Sequence, residues 1–127
     1  MKKKRDNFII QRLKGILFSF RGIGILIRTE DSIKVQLCFV VIAIILGFYF
    51  SISLTEWILQ TTVIGLVLVS EALNTAIEKL SDFIHPDYHK KIGIVKDISA
   101  GAPGIAAIIS LVVACLIYIP KLIQIFK

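Results

Sequence analysis

Apolar positions along this chain fall into blocks of two kinds. From residue 8 to 28, Ile9, Leu13, Ile16, Phe20, Ile23 and Ile27 advance by alternating fours and threes, and Lys14, Arg21 and Arg28 recur every seven residues on a flank of that face. A stripe of this period on one side and cations beside it predict an amphipathic helix over 6–28 lying in a membrane interface. The later blocks are unbroken. Val35 to Thr55 and Ile98 to Pro120 contain no formally charged residue, and Trp57 to Val69 is a third apolar run that flows into an acidic stretch. A hydrocarbon core of about 30 Å takes about 20 helical residues to cross, so the pattern predicts transmembrane helices over 33–52, 57–84 and 96–119.

The connections set the expected orientation. "SISLTEW", between the first two spans, carries no lysine or arginine, whereas "HPDYHKKIG", between the second and third, carries Lys90 and Lys91 with Pro86 and Gly93 as breakers. Positive charge is retained on the cytoplasmic side, so the N-terminus and the "HPDYHKKIG" turn are expected inside. Pro103 cannot donate to the carbonyl of Ser99, and with Gly101 and Gly104 nearby a kink is expected early in the third span. "MKKKRDNF" has the charge of a signal-peptide start, but Arg12, Lys14, Arg21 and Arg28 leave no uninterrupted apolar stretch after it, so no cleaved leader is expected.

Composition narrows the class. The 127 residues are 56% hydrophobic with a net charge of +6. The basic residues gather at the N-terminus and around Lys90, Lys91 and Lys96, which points to anionic headgroups and a nucleotide rather than to nucleic acid. Cys38 and Cys115 each lie inside an apolar run, so they are expected to be small packing residues without a metal or redox role. A three-span chain buries little core of its own, so a homo-oligomer is expected.

The acidic stretch "SEALNTAIEKLSDF" carries the candidate chemistry. At about 100° per residue, Glu71, Glu78 and Asp82 share one face of the helix, with Asn74 on its edge. Glu71 lies roughly 20 Å in from Trp57 and so within the inner leaflet, where an ionisable group costs on the order of 2.5 kcal/mol or more. Glu78 and Asp82 reach the headgroup layer. A second acidic pair, Glu30 and Asp31, is expected at the same interface, and oxygen ligands from two helices suit Mg2+ shared with polyphosphate. A base in the leaflet, a metal at the interface and cations nearby together describe phosphoryl transfer onto a lipid alcohol. No Walker-type or kinase-type glycine loop is present. His85 and His89 are four apart but Pro86 intervenes, so a two-histidine metal face is not expected. A cation channel and a non-catalytic assembly factor are the competing classes; the first would use the stripe as an ion path, though the outer half of that helix offers only Gln60, Thr61 and Thr62.

The string "EALNTAIEKLSDFIHPDYHKKIGIVKDISAGA" resembles the signature of the small prokaryotic diacylglycerol kinase family, E-x-x-N-[ST]-A-I-E-x-x-x-D followed by a Y-H turn and K-D. The resemblance extends over nearly the whole chain. It implies an all-α integral membrane lipid kinase of the bacterial inner membrane, an N-terminal surface helix with three spans, working as a homotrimer with shared active sites. By matched position it implies Glu71 as proton acceptor, Glu30 and Glu78 as ligands of the nucleotide's Mg2+, and Asn74 and Asp82 as polar supports. It further implies Asp87, Tyr88, His89, Lys96 and Asp97 as ATP contacts, with Lys14 and Phe18 on the surface helix. Gln11, Phe18, Thr29 and Gln36 depart from the diacylglycerol kinase pattern, where arginine, tyrosine, asparagine and glutamate are usual. "SLTEW", "KDISAGA" and "IYIPKL" look more like the branch that phosphorylates undecaprenol, which makes undecaprenol the leading expected substrate and diacylglycerol the second. Pro103 matches neither branch.

Overall fold

The computed structural model describes residues 7–126. Its elements are four helices, α1 (Phe8–Thr29), α2 (Asp31–Tyr49), α3 (Leu54–Ile84) and α4 (Lys90–Ile125). The chain divides into two compact units, Met1–Asp31 and Ser32–Lys127. The expected start of the surface helix at residue 6 and the leader question fall outside the described residues.

In the first unit, α1 ends where Glu30 turns extended (φ −107°, ψ 113°) while its N–H still donates to the Leu26 carbonyl at 3.0 Å. None of its residues is buried. Ile9, Leu13, Ile16, Phe20, Ile23 and Ile27 all stand exposed, so the stripe read from the sequence is an uncovered apolar surface. The Arg12 guanidinium lies 5.0 Å from the Phe8 ring centroid, a cation–π contact on the same helix.

The second unit holds the three helices long and apolar enough to cross a membrane. A tight turn joins α2 to α3. Phe50, Ser51 and Ile52 donate backward to Leu46, Phe48 and Gly47 at 2.9–3.1 Å, and Ser51 takes a left-handed φ of 47° to allow it. Ser53 then starts α3 with a capping box: Glu56 N–H donates to Ser53 Oγ at 3.2 Å and Ser53 N–H to Glu56 Oε2 at 2.6 Å. Two of the orphan N–H groups of the new helix are thereby satisfied. At the same corner a Cβ on Gly47 would come within 2.6 Å of the Trp57 indole. Only glycine lets that ring pack against α2, with the Phe48 ring centroid 5.0 Å from its own.

Helices α3 and α4 pack antiparallel as the main contact of the unit. Their seam is tied by Lys121 to Glu56 (3.1 Å), Tyr118 to Gln60 (2.6 Å), Ser110 to the Val63 carbonyl (3.4 Å) and Lys96 to Asp82 (2.9 Å). Burial is inverted relative to a water-soluble bundle. Gln60, Asn74, Thr75, Ser81 and Ser99 are buried, while Leu54, Leu73, Ile98, Ile105, Leu111 and Leu116 are more than 60% exposed. That inversion suits hydrocarbon as solvent, where polar groups must turn inward and small residues make the helix contacts.

The helix limits differ from the expected span limits at identifiable residues. α3 begins at Leu54 because Ser53 supplies the cap. α4 begins at Lys90, well before residue 96, because His89 caps it, its Nδ1 accepting from the Lys91 N–H at 3.2 Å. Gly93 therefore sits inside a helix rather than breaking a turn. α4 also continues as one helix through both Pro103 and Pro120 to Ile125. Cys38 and Cys115 are free thiols that lie within the candidate spans α2 and α4 and are exposed on the surface of the single chain.

Candidate active site

The C-terminal half of α3 carries the acidic stripe and displays it turn by turn. Asn74 is 7% exposed, and Glu71 and Glu78 are half-buried one turn to either side. Asp82 lies a further turn along and is exposed. Asn74 Nδ2 donates to Glu78 Oε1 at 3.3 Å, an i to i+4 bond along one helix face that aims the carboxylate. Lys96 Nζ reaches across from α4 to Asp82 Oδ1 at 2.9 Å. The structure thus joins four of the sequence-expected residues in two pairs, Asn74 with Glu78 and Asp82 with Lys96.

The turn between α3 and α4 is stitched by its histidines. Nδ1 of His85 donates to the Asp87 carbonyl at 2.8 Å, and His89 Nδ1 is held as an acceptor by the α4 cap. The two rings stand 5.0 Å apart, yet they belong to a helix end and a helix start and not to one helical face. Asp87, Tyr88 and Asp97 are exposed, Tyr88 at 91%. These side chains are open to a water-soluble partner.

Lys14, Phe18 and Glu30 belong to the first unit. Lys14 and Phe18 are exposed on α1, and Glu30 sits half-buried at its end. The Thr29 hydroxyl lies 2.7 Å from Glu30 Oε1 and 3.0 Å from the Ile25 carbonyl. Sequence pattern does not reveal that contact: Thr29 reads there as a departure from asparagine, whereas in the fold its hydroxyl hydrogen-bonds the neighbouring carboxylate.

Among the described residues no three His, Cys, Asp or Glu side chains gather where they could hold a metal ion. A Mg2+ that arrives on a nucleotide does not require such a cage, since it takes one or two carboxylates and fills its octahedron with water and phosphate oxygens. Glu78, half-buried and with one oxygen fixed by Asn74, has the hard-oxygen chemistry for one of those ligands.

Known proteins converge on the same reading. The family model of prokaryotic diacylglycerol kinase matches residues 17–118. The chain belongs to that family. It is 33% identical over 120 residues to the undecaprenol kinase of Bacillus subtilis (strain 168), covering 94% of this chain and 98% of the relative. It is 26% identical over 105 residues to the diacylglycerol kinases of Escherichia coli (strain K12) and Shigella flexneri, covering 83% of this chain and 86% of each relative. The protein is therefore a lipid kinase with three helices fit to span a membrane. The matched segment takes in Phe18 and Glu30 as well as the whole acidic stripe and the "KD" pair of α4, and leaves Lys14 outside it.

Proposed function

We propose that this kinase transfers the γ-phosphoryl group of ATP to the terminal hydroxyl of undecaprenol, giving undecaprenyl phosphate. The observation that carries the substrate choice is the near-full-length likeness to an undecaprenol kinase, 33% identity over 94% of the chain. Diacylglycerol, the substrate named for the relatives at 26% identity, is the second candidate.

In this reading the half-buried Glu71 accepts the proton of the lipid hydroxyl, since it is the carboxylate of the stripe set deepest in the leaflet. The deprotonated oxygen attacks the γ-phosphorus, the bond to the β–γ bridging oxygen breaks, and ADP leaves with the electron pair. A general base of this kind contributes about 10²- to 10⁴-fold. Glu30 and Glu78 would hold Mg2+, which neutralises charge on the phosphates. Asn74 keeps Glu78 aimed, and Asp82 fixes Lys96 near the water. Lys14, Phe18, Asp87, Tyr88, His89, Lys96 and Asp97 contact the nucleotide. The working form is a homotrimer with sites shared between subunits, in the bacterial cytoplasmic membrane with the N-terminus inside. The contrast between the α2–α3 turn, without lysine or arginine, and the lysines after the α3–α4 turn supports that orientation.

A cation path along α3 fits less well. Gln60, the buried polar side chain of its outer half, spends its amide on Ala43 and Tyr118, so the polar stripe does not continue outward.

Purified protein in mixed micelles with labelled ATP should label undecaprenol in preference to diacylglycerol. Preferential labelling of diacylglycerol would reverse the substrate assignment. No labelling of either, with cation flux in proteoliposomes, would defeat the kinase reading itself.

A further inference from the structure

Two buried polar atoms in the α3–α4 seam lack a hydrogen-bond partner among the described residues, Asn74 Oδ1 and Ser99 Oγ. Their residues are 7% and 8% exposed. Neither is an idle surface group, and leaving such atoms unsatisfied costs about 1–3 kcal/mol each.

Ser99 also carries a carbonyl without its usual helical donor. Pro103, four residues on within the same helix, has no N–H, so the Ser99 carbonyl loses its helical donor. The seam contacts bracket the level at which this turn falls. Lys96 meets Asp82 and Ser110 meets Val63, and counting along the antiparallel pair from each contact at equal rise puts Ser99 level with the stretch from Asn74 to Lys79, and Pro103 level with the stretch from Ser70 to Thr75. Asn74 falls within both stretches, at the level of the Ser99–Pro103 turn.

We propose that Asn74, Ser99 and Pro103 build a site for one buried water molecule, and that Ser99 is a positioning residue for Glu78 through it. Water matches the donor count. It donates one hydrogen to Asn74 Oδ1 and the other to the Ser99 carbonyl, and accepts the Ser99 hydroxyl hydrogen, the three bonds typical of a buried water. With Oδ1 engaged, the Asn74 amide is held with its Nδ2 toward Glu78. An unanchored Asn74 could rotate and present Oδ1 to the carboxylate instead. Pro103 then has a role: it frees a backbone acceptor where the seam needs one. The functional consequence rests on the reading of Glu78 as a ligand of the nucleotide's Mg2+; the water site itself does not.

Two measurements on the full chain test this. A crystal structure at high resolution should show one isolated density peak about 3 Å from Asn74 Oδ1 and from the Ser99 carbonyl. That peak should vanish in Pro103→Ala, which returns an N–H to the Ser99 carbonyl and adds a helical bond rather than removing one. A direct Asn74–Ser99 bond, or a side chain from a second copy at that position, overturns the site. In kinetics, Ser99→Ala and Pro103→Ala should raise the KM for Mg-ATP about fivefold, the worth of one net hydrogen bond, with kcat on the lipid held and Ser99→Thr near the parent. An unchanged KM in both overturns the positioning role. Glu78→Gln measured alongside separates the two ideas: if it leaves the KM for Mg-ATP unmoved, the assignment of Glu78 fails, and the density peak still decides whether the water is there.

Discussion

The two ends of the α3–α4 seam are built from similar side chains and differ in whether their hydrogen bonds close. At the end beside the α2–α3 turn, Gln60 Nε2 donates to the Ala43 carbonyl at 3.1 Å and Tyr118 donates to Gln60 Oε1 at 2.6 Å, so one amide ties α2, α3 and α4 together. Glu56 is shared between the Ser53 cap and Lys121. At the end beside the α3–α4 turn, Asn74 Oδ1 and Ser99 Oγ are left over, and Glu71 and Glu78 stand half-open. A closed polar network holds helices at a fixed distance; an open one leaves groups able to engage something that arrives. The same helix thus carries a closed clasp at one end and the open candidate site at the other.

Glu71→Gln breaks the comparison hardest. It should lower kcat on the lipid about 10²- to 10⁴-fold while thermal stability in detergent stays at the parent value; full turnover in that variant removes Glu71 from the proton-accepting role. Gln60→Leu is the mirror experiment, expected to cost about 1–3 kcal/mol of stability by stranding its buried partners while kcat per folded molecule is kept. Unfolding in detergent and a micelle assay on the same preparation check both halves of that statement. Gly47→Ala drives a methyl into the Trp57 ring and should cost about 1–3 kcal/mol, seen as a fall in melting temperature and a change in Trp57 fluorescence. Ser51→Gly relieves the left-handed φ of 47° and should stabilise by about 1 kcal/mol or less. A loss of stability there would mean that the serine side chain has a role the backbone does not reveal.

Much of the candidate site is legible from spacing alone. Glu71, Glu78 and Asp82 sit at intervals that a helix must stack, and an acid inside an apolar run has to be explained. The clasp is not legible, because Gln60 finds partners at Ala43 and Tyr118, distant in sequence, and reads in isolation as a stray polar residue. The start of α4 escapes the pattern for a local reason: Gly93 has the look of a breaker, while the capping nitrogen of His89 leaves no periodic mark. Its far end escapes because Pro120 suggests a stop, yet a helix whose neighbours hold it can pass through a proline. Thr29 stands out only as a deviation, since a hydroxyl's partner depends on where the chain turns at Glu30.

α4 has one more consequence. Its uncharged run, Ile98 to Pro120, is about 35 Å long, somewhat beyond the ~30 Å of an acyl-chain core. The surplus can be taken up by leaning, and a rod packed along α3 leans together with it, raising or lowering Glu71 relative to the lipid surface. Bilayer thickness then becomes a setting for the enzyme, and vesicles of graded chain length should yield a turnover optimum in place of a plateau.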